Sequence, residues 1–247
     1  MKMAGSCLQL DAGNSGAKWR MLRSGRVAQR GTFLPADEQS LADFLAGIEA
    51  PEQIWISSVA STQAQSALSH TLLEQWGVQP WTAHAQAETD GLVNSYADPA
   101  RMGVDRWLAM LAARDLIKGR LCVVDSGSAL TIDIVAENGQ HEGGYIIPGA
   151  ALMERALLLD TDRVRFEEDA GYQLAPGKST AQAVRHGVAL AQAGAVGLVL
   201  GQQKLANDQL VLCGGGGGAL QQFLDGAGKC VPDLVFDGLA LLAASRP

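Results

Sequence analysis

The chain has 247 residues, of which 47% are hydrophobic, and this content is sufficient for one large domain or two small ones. Its formal net charge is −7, and Lys and Arg are not clustered anywhere in the sequence. We therefore expect neither nucleic-acid binding nor attachment to an anionic membrane, since both require a basic surface. A phosphorylated small molecule stays possible, because phosphates are commonly bound by backbone N–H groups, helix N-termini and divalent cations.

The first part of the chain predicts a mixed α/β arrangement. Residues 7–11, 17–22 and 27–33 form short apolar segments separated by tight turns, which is typical of a three-stranded meander. Four further elements are predicted, namely a helix at 41–47, a strand at 54–58, a helix at 62–76 and a helix at 103–117.

A second meander is predicted further along the chain. Residues 121–125 and 130–136 are apolar strands, Asn138 and Gly139 form a hairpin signal, and a third strand is expected at 144–147. The remaining predicted elements are a helix ending near 159, a long helix at 180–200, a strand at 209–213, a short helix, a strand at 234–236 and a terminal helix.

The two meanders share a feature that indicates duplication. Asp11-Ala-Gly13 and Asp125-Ser-Gly127 each follow one apolar strand and precede another. We interpret the chain as two related domains, 1–117 and 118–247, with the boundary near Lys118.

Cysteine usage and hydropathy indicate a protein of a reducing compartment. The four cysteines form no CxxC pair and lie in apolar segments, which favours core thiols over metal ligands; they are Cys7, Cys122, Cys213 and Cys230. The N-terminal residues have no signal-like apolar stretch, and the apolar segment 187–201 is interrupted by Gln192. We expect a soluble, cytoplasmic protein without membrane partners.

The acidic turns are the strongest chemical signal. In the first turn, residues 11–16, a carboxylate at a strand end stands beside glycines that allow backbone N–H groups to approach a ligand, so the turn can hold phosphate and magnesium. A plain hairpin turn explains the same residues. The second turn strengthens the phosphate interpretation, because Asp125, Ser128, Thr131 and Asp133 supply a second set of carboxylates and hydroxyls.

The five glycines at 214–218 follow a strand and precede a helix. They are compatible with contact to a nucleotide base or ribose, and equally with a flexible turn. The sequence contains neither a GxxxxGK[ST] phosphate loop nor the HRD and DFG motifs of protein kinases. Any use of ATP must therefore depend on the paired acidic hairpins.

Together, the two turns and the glycine run resemble the phosphate and adenosine motifs of the acetate kinase, sugar kinase, heat-shock ATPase and actin superfamily. Three further segments resemble the type III pantothenate kinases within it: Asn94-Ser-Tyr-Ala-Asp-Pro99 with Gly103-Val-Asp-Arg-Trp107, then Gly143-Gly-Tyr-Ile-Ile-Pro-Gly149, and Thr180 at a helix start. The match follows the family order over nearly the whole chain.

The resemblance implies two ribonuclease-H-like (actin-like ATPase) domains with a cleft between them. It also implies transfer of the ATP γ-phosphate to the primary hydroxyl of pantothenate, the first step of coenzyme A synthesis. Two alternatives stay open: another small-molecule kinase of the superfamily, and a nucleotide-binding accessory factor with weak or no catalysis.

The resemblance further implies roles for individual residues. The residues implied in ATP binding are Asp11, Ala12, Gly13, Asn14, Ser15, Gly16, Ala17, Lys18 and Ser128. Those implied in pantothenate binding are Tyr96, Gly103, Val104, Asp105, Arg106 and Thr180. Asp11 is implied in holding Mg²⁺ through water, and Asp125 in binding a monovalent cation, K⁺ or NH₄⁺.

Asp105 is the implied catalytic base, and Arg106 the implied partner of the pantothenate carboxylate or of the transferred phosphoryl group. From the residues alone, Asp105 is explained by the stabilisation of a carboxylate at a helix N-terminus, and Arg106 by a surface ion pair. In the family Thr180 comes from the neighbouring subunit, which implies a homodimer with a composite site; periodicity alone favours a core helix at 180–200.

Two residues depart from the family pattern. Ser15 and Ser128 stand where threonine is usual. Both serines retain the hydroxyl, so we expect activity to persist with somewhat weaker nucleotide binding.

Overall fold

The computed structural model of the protein describes residues 5–160, 164–166 and 169–246. These residues form two compact units. The first unit takes the described residues up to Asp90, Tyr96–Ala112 and those from Val235 onward. The second unit takes Gly91–Ser95 and Ala113–Leu234.

The first unit is built on a sheet of five strands with helices after the third and fourth. Its elements up to the fifth strand are β1 (Ser6–Ala12), β2 (Ala17–Arg23), β3 (Arg26–Phe33), α1 (Glu38–Ala46), β4 (Gln53–Ser58), α2 (Thr62–Trp76) and β5 (Trp81–Thr82). The strand order is β3-β2-β1-β4-β5. The meander β1–β3 is antiparallel, and β4 and β5 continue the sheet in parallel with β1.

Short elements and one long helix connect the two sheets in the chain. They are β6 (Glu88–Thr89), β7 (Leu92–Val93), a 3₁₀ turn at Pro99–Arg101 and α3 (Val104–Leu116).

The second unit repeats the strand pattern of the first. Its elements, followed by the C-terminal helix, are β8 (Leu121–Ser126), β9 (Ala129–Val135), β10 (His141–Pro148), α4 (Ala150–Asp160), α5 (Thr180–Gln203), a 3₁₀ turn at Asn207–Gln209, β11 (Leu210–Cys213), α6 (Gly217–Phe223), β12 (Lys229–Cys230) and α7 (Leu234–Ala244). The strand order is β10-β9-β8-β11-β12. Again the first three strands are antiparallel, and the last two run parallel to the first strand of the meander.

The repeated order confirms the predicted mixed α/β fold with two related sheets. It also confirms both meanders and the hairpin at Asn138 and Gly139. The division into units does not follow the chain order, since α7 belongs to the first unit. The boundary near Lys118 concerns the ancestral duplication and stays a prediction.

Each unit has its own apolar core. In the first, the inner faces of β1 and β4 pack against Phe44 of α1 and Leu72 of α2. In the second, β8, β9 and β11 pack against Val196 of α5 and Leu220 of α6. Because both faces of the central strands are covered, these strands are apolar along most of their length.

The strand predicted at 234–236 is wrong. Those residues are the first turn of α7, and the fifth strand of the second sheet is β12, which pairs with β11. The cause is the burial of α7: Gly238 lies against the backbone of Leu108 in α3, and Leu239 and Leu242 are fully buried. A helix that is apolar on most sides shows no clear period over three residues, so it resembles a buried strand.

Helix α5 is longer than its apolar segment indicates. Its 24 residues are long and apolar enough to cross a membrane by length and composition, a test that the core helix of a soluble protein also passes. Several of its residues, including Val196 and Leu200, are buried in the core of the second unit. We therefore describe α5 as a core helix with one exposed face.

Candidate functional site

The first acidic hairpin joins β1 to β2. Asp11 is paired with Lys18 and Ala12 with Ala17, and the Gly13 N–H donates to the Gly16 carbonyl over 2.9 Å. The tip residues Asn14 and Ser15 are exposed, as is Lys18. The predicted ATP-binding residues 11–18 therefore lie together in one hairpin, with Ala12 and Ala17 buried and the tip exposed.

Asp11 is held by a residue that the sequence analysis missed. The Ser57 hydroxyl, fully buried at the end of β4, donates to Asp11 Oδ1 over 3.0 Å. Asp11 and Ser57 are register partners in the parallel pair β1–β4. The signal was present in the sequence, because the carboxyl ends of neighbouring parallel strands meet at one edge of a sheet.

A cavity of about 700 Å³ borders this hairpin. Its wall includes the hairpin residues 12–16 and the first turns of α2, from Ser61 to Leu68. Ser61 caps α2 by accepting from the Ala64 N–H at 3.2 Å. A helix N-terminus carries a partial positive charge, so this side of the hairpin favours an anion.

The second acidic hairpin, between β8 and β9, has the same construction. Asp125 is paired with Thr131 and Ser126 with Leu130, and the Gly127 N–H donates to the Ala129 carbonyl at 2.9 Å. The predicted ligand residue Ser128 is exposed at the tip, and Asp125 is half-buried.

The glycine run lies directly on this second hairpin. The Gly216 N–H donates to the Ser126 carbonyl over 2.9 Å. A Cβ on Gly214 would overlap the Asp125 carboxylate, and Gly214 also has a positive φ of 78°. The glycines are therefore required for backbone packing against Asp125 and Ser126, which neither earlier interpretation of the run included.

A further segment of the second unit reaches the same hairpin. The Gly149 N–H donates to the Ser128 carbonyl over 3.0 Å, and a Cβ on Gly149 would overlap the Gly127 carbonyl. The last glycine of the Gly143–Gly149 motif is thus explained by close approach to the second hairpin.

The start of α3 gathers most of the predicted pantothenate residues. Arg106 Nη1 donates to the Tyr96 hydroxyl over 2.9 Å, and Arg106 Cζ lies 5.8 Å from the centre of the Tyr96 ring. Asp105 Oδ1 accepts from the Arg106 N–H at 2.8 Å and lies against Gly103. Val104 is buried beside them.

Burial distinguishes these side chains. Arg106 is only 4% exposed, whereas Asp105 and Tyr96 are half-buried. A carboxylate and an aromatic hydroxyl with access to solvent thus stand beside a buried guanidinium. This arrangement can bind an anionic, hydroxyl-bearing small molecule.

Thr180 belongs to the second unit, whereas that group belongs to the first. It is the exposed first residue of α5, whose N-cap Ser179 accepts from the Gln182 N–H at 3.2 Å. Its assignment to the pantothenate site stays a prediction.

Two of the buried cysteines have raised pKa values. Burial raises the pKa of Cys7 to about 12, slightly opposed by the charge of Arg20. Burial raises the pKa of Cys122 to about 12 as well, with a further contribution from the negative charge of Asp133. Three of the four cysteines are buried on strands as predicted, whereas Cys230 is half-buried.

Comparisons with known proteins give a consistent result. The family model described as type III pantothenate kinase matches residues 7–201. A type III pantothenate kinase from Hahella chejuensis is 38% identical over 97% of this chain and 98% of its own length. Another from Marinobacter nauticus is 36% identical over 96% of this chain and 98% of its own length.

Solved structures with lower identity show a similar fold. A protein named as a Baf family transcriptional activator from Campylobacter jejuni superposes with a TM-score of 0.60 at 24% identity, covering 96% of this chain and 98% of its own. A 2-dehydro-3-deoxygalactonokinase protein from Sinorhizobium meliloti superposes with a TM-score of 0.61 at 16% identity, covering 97% and 99%. At these identities the likeness shows the fold alone.

Proposed function

Because the chain belongs to the type III pantothenate kinase family, we propose that the residues at the start of α3 bind pantothenate and activate its hydroxyl. The enzyme is an ATP-dependent kinase that phosphorylates pantothenate, a reaction of coenzyme A biosynthesis. The finer assignments below extend this activity to individual residues, cations and subunits.

One observation carries the proposed pantothenate site. Tyr96 and Arg106 are separated by ten residues and contact each other through a hydrogen bond and a cation–π interaction. Asp105 lies at the same helix start, with one carboxylate oxygen bonded to the Arg106 N–H. The site thus combines a base, a cation and an aromatic hydroxyl.

In the proposed mechanism Asp105 accepts the proton of the pantothenate primary hydroxyl as that oxygen attacks the γ-phosphorus of ATP. The bond between the γ-phosphorus and the bridging oxygen breaks, and ADP leaves with that oxygen. The bond from the Arg106 N–H stabilises the charged carboxylate and fixes its rotamer beside the substrate hydroxyl.

Arg106 supplies positive charge beside the base. Its guanidinium is buried, and a charge-assisted hydrogen bond is strengthened in such surroundings. We assign it to the pantothenate carboxylate, with Tyr96 holding the guanidinium plane. Gly103 and Val104 shape the approach, since a Cβ on Gly103 would lie 2.6 Å from Asp105 Oδ1.

The first hairpin is proposed to bind the ATP phosphates through its backbone N–H groups, Ser15 and Lys18, and Ser128 of the second hairpin is assigned to the same ligand. Asp11 fits a role in holding Mg²⁺, because Mg²⁺ is usually bound by one or two carboxylates together with water and substrate phosphates. Among the residues that the structure describes, no cluster of three or more metal-ligating side chains occurs, which agrees with such sparse coordination. When bound, Mg²⁺ neutralises charge on the transferred phosphate.

Asp125 is proposed to bind a monovalent cation. Its carboxylate is half-buried at the end of β8 and lies close to the backbone of Gly214. Carboxylate and backbone carbonyl oxygens are suitable ligands for such an ion. Activity in potassium buffer is expected to exceed activity in sodium buffer, and equal rates would count against this assignment.

A homodimer is proposed because the second unit has an exposed apolar face. Helices α4 and α5 border an apolar groove of about 1000 Å³, which Thr180 lines at one end. Leu190 and Leu198 of α5 are 59% and 62% exposed. Apolar patches of this kind are usually covered by a partner, and a second copy would supply Thr180 to the neighbouring pantothenate site. We place the dimer in the cytoplasm, with pantothenate and ATP as its small-molecule partners.

A coupled assay of ADP release tests the proposed function. With ATP, Mg²⁺ and K⁺ present, ADP release should depend on pantothenate. Release that requires a sugar or another acyl acid instead would indicate a different kinase of the superfamily. No release with any acceptor, in a protein that still binds ATP, would indicate an accessory factor.

A further inference from the structure

The segment Gly91–Ser95 is bound to the hairpin between β9 and β10 in the second unit. The Val93 N–H donates to the Gly139 carbonyl over 2.9 Å, and Val93 forms an isolated parallel bridge with Gln140. Gly139 has a φ of 90°, and a Cβ there would overlap the Gly91 carbonyl. The hairpin tip is therefore shaped to receive this segment.

A chain of side-chain hydrogen bonds continues from this segment into the sheet. The Ser95 hydroxyl lies 2.8 Å from His141 Nδ1, and His141 Nε2 lies 3.0 Å from Asp133 Oδ1. His141 is 1% exposed and Asp133 2%, whereas Ser95 is exposed. The chain thus runs from a buried carboxylate on β9 to a hydroxyl at the surface.

The direction of the bond between His141 and Asp133 follows from the carboxylate. An ionised Asp133 only accepts, so His141 Nε2–H is the donor. A buried carboxylate without a hydrogen-bond partner would be strongly destabilising, so this pair is fixed in place by the fold. Ser95 is therefore hydrogen-bonded to an imidazole that the fold holds in place.

Serine hydrolases use the same residue types, but there His Nδ1 faces the aspartate and Nε2 faces the serine. The assignment is reversed here, with Nδ1 facing Ser95. The geometry therefore favours a positioning role over a nucleophilic one.

This chain of hydrogen bonds is relevant to the proposed pantothenate site because of the residue that follows Ser95. Ser95 precedes Tyr96, whose hydroxyl accepts from Arg106. We infer that Asp133, His141 and Ser95 are positioning residues for Tyr96, and that they set the affinity of the enzyme for pantothenate without taking part in phosphoryl transfer. This inference rests on the proposed role of Tyr96 in the pantothenate site.

Steady-state kinetics of Ser95→Ala test the inference. Loss of one hydrogen bond should raise KM for pantothenate about two- to tenfold. The kcat value and KM for ATP should stay close to those of the wild type. Ser95→Thr retains the hydroxyl, so its KM for pantothenate should stay close to the wild-type value. The matched control is Ser66→Ala, at an exposed position of α2. It should change neither kcat nor KM for pantothenate or ATP.

A double-mutant cycle separates positioning from a general effect. If Ser95 acts through Tyr96, the rise in KM caused by Ser95→Ala should shrink in a Tyr96→Phe background, because coupled residues are not additive. Equal effects in both backgrounds would overturn the inference. Two other results would also overturn it. One is an unchanged KM for pantothenate in Ser95→Ala, and the other is a fall in kcat alone, which indicates a loss of folded enzyme.

The same experiment distinguishes this inference from the proposed site. If Tyr96→Phe leaves KM for pantothenate unchanged, the assignment of Tyr96 is wrong and the inference fails with it. If Tyr96→Phe raises KM while Ser95→Ala does not, only the inference fails.

Discussion

The two acidic hairpins occupy equivalent places in two sheets of the same strand order. They differ in the contacts that each acidic residue makes with the neighbouring parallel strand. In the first unit, the register partner of Asp11 is Ser57, the penultimate residue of β4, whose hydroxyl donates to the Asp11 carboxylate. In the second, β11 ends in Cys213, the register partner of Asp125, and the chain continues into glycines. The backbone of Gly214 and Gly216 then covers the end of β8.

This difference shows how one scaffold provides two kinds of ligand surface. A side-chain hydroxyl fixes the carboxylate rotamer in the first unit, which suits the role in holding Mg²⁺ that we propose for Asp11. Bare backbone lies against the carboxylate in the second unit, which suits an ion or a flat ligand group that approaches the main chain. The first hairpin should therefore be sensitive to loss of a hydrogen bond, and the second to added volume.

The largest expected effect concerns the chemistry that we assign to the first unit. Asp105→Asn should lower kcat by about 10²- to 10⁴-fold, because a general base contributes that much to a proton transfer. ATP affinity and thermal stability should persist. The matched control is Asp115→Asn, at an exposed position of the same helix. A variant at position 105 with wild-type kcat would remove this residue from the mechanism.

The second prediction addresses backbone packing at the second hairpin. Gly214→Ala should reduce the free energy of unfolding by about 2–4 kcal/mol, since the methyl group overlaps the Asp125 carboxylate at a positive φ. Gly215→Ala is the control in the same run, because a Cβ there meets nothing within 4 Å. Urea denaturation measures both. Equal stability of the two variants would show that the glycine run is not tightly packed.

The third prediction addresses the hydroxyl at the first hairpin. Ser57→Ala should reduce the free energy of unfolding by about 1–2 kcal/mol and weaken Mg-ATP binding, because the Asp11 carboxylate loses a buried donor. Calorimetric titration with Mg-ATP measures the binding. Ser66→Ala, at an exposed position of α2 outside the cavity wall, is the control. If both variants bind Mg-ATP equally well, Ser57 does not position Asp11.

The smallest effect is expected from the buried thiols, one in each unit. The pKa values of Cys7 and Cys122 rise from 9.0 to about 12 on folding, so the folded state retains protons that the unfolded chain loses. The stability that each buried thiol contributes is therefore fully present well below pH 9.0 and is lost as the pH rises toward about 12. Between pH 8 and 9.5 the loss should be roughly 1 kcal/mol per thiol. Denaturation of Cys7→Ala over this range should show a weaker pH dependence, and an unchanged dependence would contradict the assignment.

Much of the fold was predictable because strand and helix patterns repeat along the chain. Both meanders, the Asn138 and Gly139 hairpin, and helix α2 with its bounds were predicted from apolar spacing and turn residues. The segment at 234–236 was not, because the side chains of α7 are buried around most of the helix and no period survives. The return of α7 to the first unit depends on tertiary packing, such as the bond from Arg20 to Asp237 at 2.9 Å.

The candidate site was predictable where a motif is continuous and less so where the fold assembles it. The GxDRW segment identified Asp105 and Arg106, and their contacts with each other and with Tyr96 agree with one local group. Ser57 and His141 lie in no motif, and Ser95 lies in the Asn94–Pro99 segment without a role implied by the resemblance. Their positions follow from strand register and from a buried carboxylate, which appear only once the chain is folded.

The most direct test of the account is to follow the phosphate itself. With ATP labelled at the γ-position, Mg²⁺ and K⁺, the wild-type enzyme should transfer the label to the primary hydroxyl of pantothenate, with one labelled product for each ADP. Label released as inorganic phosphate, with pantothenate unmodified, would contradict phosphoryl transfer by this site.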